Sequence, residues 1–249
     1  FGIAYSFASF FDEFEADFEA SRGDISLIFS IAGFLYFSLG AVSGPLSDRL
    51  GARPVVTFGI ILIALGLFMA SFAVSLWQVY LTYGAAVGVG IGFSYVPSVG
   101  VLQRWFVRRR GFATGLAVAG IGVGTLAAPP FCRFLVESLG WRETFQVLSA
   151  CVLLLGLLAA WLLFPNPMVR GLYPDGDATP IGEAASSSGI SLREALASSP
   201  FWLLFVSSTI ISLGLFVPFV HLVKFSVDHG HEQSWAILLI SLIGVGSMS

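Results

Sequence analysis

Two short clusters of charge could do chemistry of one kind in this sequence, the making and breaking of ion pairs. The first is Gly44-Pro-Leu-Ser-Asp-Arg-Leu-Gly-Ala-Arg53, where Asp48, Arg49 and Arg53 stand among the turn-forming Gly44 and Gly51. An acid at a helix end with arginines on adjacent turns forms charge-assisted bonds that must break before those ends separate. The second is Arg104-Trp-Phe-Val-Arg-Arg-Arg-Gly111, in which Arg104, Arg108, Arg109 and Arg110 flank an interfacial tryptophan. Such a cluster anchors a helix end at a membrane surface.

The remaining polar side chains of interest fall inside long apolar runs. Tyr5, Tyr95 and Ser98 supply hydroxyls at mid-depth, where they line a substrate path or join packed helices. Pro97 and Pro218 free the carbonyls of Phe93 and Gly214, and His221 lies one turn beyond Pro218. His229 and His231 form an i, i+2 pair without a third ligand, so no metal is expected, nor any cofactor. No G-x-x-x-x-G-K-[ST], G-x-S-x-G or H-E-x-x-H occurs, and no paired carboxylates lie within an apolar run, so neither a nucleotide-driven pump nor an enzyme is expected.

The elements that must position these residues follow from composition. Of 249 residues 56% are hydrophobic and 11% charged, against about a quarter charged in soluble domains. A hydrocarbon core of about 30 Å needs about 20 apolar residues of helix. Uncharged runs of that length occur at Ile25 to Ser47, Pro54 to Phe72, Trp77 to Gln103, Gly111 to Cys132, Thr144 to Phe164 and Pro200 to Val220. Phe1 to Phe11 reads as the tail of an earlier helix and Gln233 to Ser249 as the start of a later one, so the chain is expected to be a piece of a longer one. Phe10, Phe11, Phe14 and Phe18 recur at helical spacing among acids, which predicts that the first helix continues outward as an amphipathic stalk. Ser21 and Asp24 offer caps for the next helix. The fold class is therefore an all-α polytopic transmembrane bundle, truncated at both ends. Residues 1–164 form one group of helices, 165–199 a polar, solvated linker, and 200–249 the start of a second group.

The connections differ in sign. One alternate set carries Arg49, Arg53, Arg104, Arg108, Arg109, Arg110, Arg170 and Arg193 against five acids, a balance of +3. The other carries Arg22, Arg133, Arg142 and Lys224 against ten acids, a balance of -6. The positive set is cytoplasmic. The total of -3 offers no footprint for nucleic acid, and the lipid bilayer is the implied partner. Glycines four apart, Gly84, Gly88 and Gly92, then Gly111 and Gly115, then Gly120 and Gly124, predict close helix packing. Cys132 and Cys151 sit in apolar runs and read as small hydrophobes.

The spacing G-x-L-x-D-R-x-G-x-R from Gly44 to Arg53 resembles the signature loop of the major facilitator superfamily. Arg104-Trp-Phe-x-Arg-Arg-Arg leading into a glycine-rich run, Gly140-Trp-Arg142, and Tyr5-Ser-Phe before Phe10-Phe-Asp-Glu-Phe14 resemble its monocarboxylate transporter branch. The resemblance implies a secondary active transporter of small organic anions in a plasma or bacterial inner membrane. It implies alternating access, proton coupling, and a signature loop that locks the cytoplasmic side. Two alternatives stay open at this point: an organic-anion antiporter of the oxalate/formate type, and a non-transporting receptor or scaffold with the same fold. No apolar run holds a Lys or Arg at mid-depth to neutralise a bound anion.

Overall fold

The computed structural model describes residues 2–176, 192–215 and 217–246, and among them every regular element is a helix. The helices are α1 (Gly2–Tyr5), α2 (Phe11–Phe18), α3 (Arg22–Leu50), α4 (Ala52–Ala70), α5 (Leu76–Trp105), α6 (Arg110–Leu139), α7 (Trp141–Leu162), α8 (Leu192–Leu196), α9 (Ser199–Leu215), α10 (Val217–Asp228) and α11 (Gln233–Gly246). Six segments are long and apolar enough to cross a membrane: α3 to α7, and α9 with α10 taken together. These match the six apolar runs. Their outward faces stay apolar, with Phe34, Leu154 and Leu203 each at least 70% exposed, as a lipid-facing surface requires. Of the linker assigned to 165–199, residues 177–191 lie outside the described residues.

Residue types explain the helix ends. Ser21 Oγ accepts from the Asp24 amide at 3.2 Å and Asp24 Oδ2 accepts from the Ser21 amide at 3.3 Å, a capping box that starts α3. Gly51 at φ 88° and Gly140 at φ 90° turn the chain between α3 and α4 and between α6 and α7.

The expected continuous stalk is instead broken. After α1 the chain makes a 3-10 turn over Phe7–Phe10 before α2 begins. The break lets Phe7, Phe10 and Phe14 all turn inward, where they are fully buried. Phe14 meets Trp141 edge-on at 5.1 Å, and Phe10 meets Phe145 at 4.7 Å. Hydroxyls add bonds around the break, beside the Ser6 amide's own bonds to Gly2 O and Ile3 O. Ser6 Oγ donates to Gly2 O at 2.7 Å, Tyr83 Oη to Ile3 O at 3.1 Å and Ser9 Oγ to Pro129 O at 3.3 Å.

α5 packs between α3 and α4, α7 lies against α4, and α6 carries α1 on one side and α11 on another. Over Tyr80–Val87 α5 is wound as a π-helix, a distortion that no proline in the stretch announces. Pro218 is the second described residue of α10.

Glycine spacing proves a divided guide. Gly88 of α5 faces the backbone of α3 so closely that a Cβ would lie 2.7 Å from Ala32 Cα, whereas Cβ atoms on Gly111, Gly115 and Gly120 would meet nothing within 4 Å. Where α4 and α5 cross, a Cβ on Gly90 would stand 2.6 Å from Gly59 O and 2.9 Å from Ile63 N. Backbone cannot yield as a side-chain tip can. Gly90→Ala should therefore lower stability by about 1–3 kcal/mol. Gly115→Ala should leave stability unchanged or raise it by up to about 1 kcal/mol through helix propensity. Thermal unfolding of the two purified variants beside wild type checks the pair.

Candidate functional site

At the arginine-rich end, residues of the Gly44-to-Arg53 loop draw four helix ends together. Asp48, in the last turn of α3, pairs with Arg104 in the last turn of α5. Arg53, in the first turn of α4, donates from Nε to Ala160 O at 3.2 Å and from a terminal nitrogen to Trp161 O, so it caps the closing carbonyls of α7. Gly44 lies on α3 beside Val96 of α5, and Gly51 makes the turn. Arg49 is exposed.

The linker's first residues join the same knot. Trp105 Nε1 donates to Phe164 O at 2.7 Å, and Arg170 lies over the Phe164 ring at 3.6 Å. Asp175 accepts from the amides of Val107 and Arg108 at 3.0 and 2.9 Å, and these bonds, that of Arg108 foremost, hold its carboxyl below the ordinary value. Arg108, Arg109 and Arg110 are exposed around this turn.

At mid-depth, Tyr95 and Ser98 line a cavity of about 210 Å³ with Gly2 of α1 and Ala117, Gly120 and Ile121 of α6. Ser98 Oγ donates to Ser94 O at 2.7 Å, which leaves its oxygen free to accept. Tyr5 is buried and stacks on Phe219 of α10 at 4.4 Å, so it joins helices from either side of the linker. Pro218 precedes that ring, while His221 is exposed on the opposite face of α10 from the buried Phe219, Val220 and Val223.

The acid-rich end holds the arrangement that sequence reasoning missed. Lys224 Nζ of α10 stands 2.7 Å from Asp12 and 2.9 Å from Glu15 of α2. Arg22 grips Asp228 with both terminal nitrogens, at 2.7 and 3.2 Å. Arg133 pairs with Glu13 at 3.1 Å and Glu137 at 2.7 Å. Burial holds the Glu13 carboxyl above its ordinary value, because the loss of water outweighs the hydrogen bonds and the Arg133 charge. Asp17 accepts from Trp141 Nε1 at 2.8 Å and from Arg142, and these bonds, that of the indole first, hold its carboxyl below its ordinary value.

The four acids of α2 looked like a solvated face. The available signal was that the negative set has just four bases, and all four stand near helix ends at one side of the bilayer. Asp175 was announced only by Pro174-Asp-Gly176, a turn pattern inside a segment read as solvated linker.

The family model of the Major Facilitator Superfamily matches residues 1–249. Monocarboxylate transporter 13 of Rattus norvegicus is 34% identical over 249 residues, covering 100% of this chain and 55% of the relative. Monocarboxylate transporter 11 of Homo sapiens is 32% identical over 246 residues, covering 99% and 50%, and monocarboxylate transporter 4 of Rattus norvegicus is 32% identical over 247, covering 98% and 52%. The chain spans about half the length of the curated relatives it matches.

Asp17 supplies a pH test with a definite sign. A carboxyl held below its ordinary 3.8 stabilises the fold fully above that value and loses the contribution as pH falls through its folded value. Asp17→Asn should melt below wild type at neutral pH, and the gap should close as pH falls below about 4. Melting curves of both proteins from neutral to acid conditions check this; a gap that widens on acidification contradicts the assigned hydrogen bonds.

Proposed function

Because this chain belongs to the major facilitator superfamily, we propose that it is part of a secondary active transporter that moves small organic anions, monocarboxylates among them, across the plasma membrane by alternating access with proton coupling. Residues 1–164 would form the first transmembrane half, 165–199 the cytoplasmic linker and 200–249 the start of the second half. The observation that carries this reading is where the charge pairs fall. At the outer end, Lys224–Asp12, Lys224–Glu15 and Arg22–Asp228 join helices from opposite sides of the linker. At the cytoplasmic end, among the described residues, Asp48–Arg104 and Arg53 with the α7 carbonyls all lie within the first group.

Charge therefore ties the two groups together at the outer end, as expected of a conformer closed to the outside. Opening outward must break the three pairs that cross the linker. Each is partly exposed and screened by solvent, weak enough to break and re-form during a cycle. The cavity beside Tyr95 and Ser98, lined by α1, α5 and α6 of the first group, offers hydroxyls to a polar solute. The signature loop, with Asp48 central, holds the cytoplasmic ends of the first half as one rigid body.

The full-length protein reconstituted in liposomes should take up labelled lactate, pyruvate or oxalate saturably, and faster down an imposed proton gradient. Absence of saturable flux for all three would falsify the transport reading in favour of a receptor, and flux indifferent to pH removes the proton. Asp48→Asn should slow uptake with surface expression unchanged. Arg22→Asp or Asp228→Arg alone should raise labelling of a Ser98→Cys reporter by an impermeant thiol reagent from outside about 2–5-fold, and the double reversal should restore the wild-type rate.

A further inference from the structure

Where α5 ends and α6 begins, a groove of about 270 Å³ opens at the cytoplasmic side, with Arg109 at its mouth and Leu102, Phe106, Phe112, Leu116 and Ala117 along its walls. We propose that this groove is a binding site for one anionic phospholipid of the cytoplasmic leaflet, its phosphate held by Arg109 and Arg110 and an acyl chain lying along Phe112 and Leu116.

Three observations converge on that occupant. Arg109 and Arg110 are exposed and have no ion-pair partner among the described residues, whereas Arg104 nearby is taken by Asp48. Unpaired guanidinium groups at a helix end on the positive side of a membrane attract phosphate, and their planar fork binds it bidentately. Below them the walls are entirely apolar. Phe112 is 74% and Leu116 67% exposed, one turn apart on α6, and the groove descends from Arg109 to Leu116 over about 10 Å of helix, from headgroup depth into hydrocarbon.

The mouth is also held in shape. Asp175 fixes the amides of Val107 and Arg108, and Trp105 is held by Phe164 O, so the turn carrying Arg109 is braced from the linker side. Asp175 occupies the amides and leaves the guanidinium groups of Arg109 and Arg110 outward. A soluble anion would fill only the mouth and leave the walls without a partner. A lipid matches both ends at once.

The test uses the full-length protein in mixed micelles of phosphatidylserine and phosphatidylcholine, with retained lipids counted by native mass spectrometry. Wild type should retain phosphatidylserine preferentially. Arg109→Gln should reduce that preference about 5-fold, the factor expected for one basic residue at an anionic surface. Ala117→Phe, which fills the groove while keeping every arginine, should abolish the preference, and Leu116→Trp narrows the groove from the same α6 wall should the first variant not fold. Millimolar inorganic phosphate should leave the retained lipid in place. Preference that survives both groove-filling variants would assign it to diffuse surface charge and overturn the site, and displacement by phosphate would assign the mouth to a soluble anion.

Discussion

Hydrocarbon solvates neither an open peptide group nor a charge, and the layout of this protein follows from those two exclusions. The backbone closes its bonds within helices, and hydroxyls add further bonds where the chain turns before α2. Ser6 and Tyr83 donate to the carbonyls of Gly2 and Ile3 there, and Ser9 ties the turn to Pro129 O of α6. The charges are pushed to the helix ends and gather there into two separate societies. Among the described residues, every ion pair joins two members of the same set, acid-rich with acid-rich or arginine-rich with arginine-rich.

The two ends use their charges differently. In the arginine-rich knot, Arg53, Arg104 and Trp105 bind mostly carbonyls and one carboxylate of their own group, and a linker carboxylate is drawn into the turn after α5. The acid-rich end instead has bases that each meet acids far away in the chain. Lys224 and Asp12 are 212 residues apart and Arg22 and Asp228 are 206 apart. Aromatic packing beneath that layer, with Phe7, Phe10 and Phe14 fully buried, sets the height and direction from which the acids of α2 reach out.

What could be read in the sequence was whatever depends on one stretch of chain alone. Spans are a matter of length and composition, the Ser21 cap of residues three apart, and the sorting of Arg and acid of alternate loops. What could not be read depends on which distant element arrives. Gly84, Gly88 and Gly92 share their spacing with Gly111 and Gly115, yet the first three meet α3 and the others meet open space. Spacing defines a face and says nothing of who occupies it. The acids at positions 12, 13, 15 and 17 look solvated for the same reason, since their partners come from α3, α6, α7 and α10. The π-wound turn of α5 has no local marker at all.

The acid-rich layer has one more property, which belongs to no single pair. Ten acids face four bases there, so even with every base paired six carboxylates remain uncompensated around the mouth of the bundle. Such an excess sets up a negative potential that reaches about 8 Å into physiological saline. Within that distance cations are enriched and anions depleted. The layer is thus locally more acidic than the bulk, and an anion approaching it meets an electrostatic barrier that a neutral solute does not.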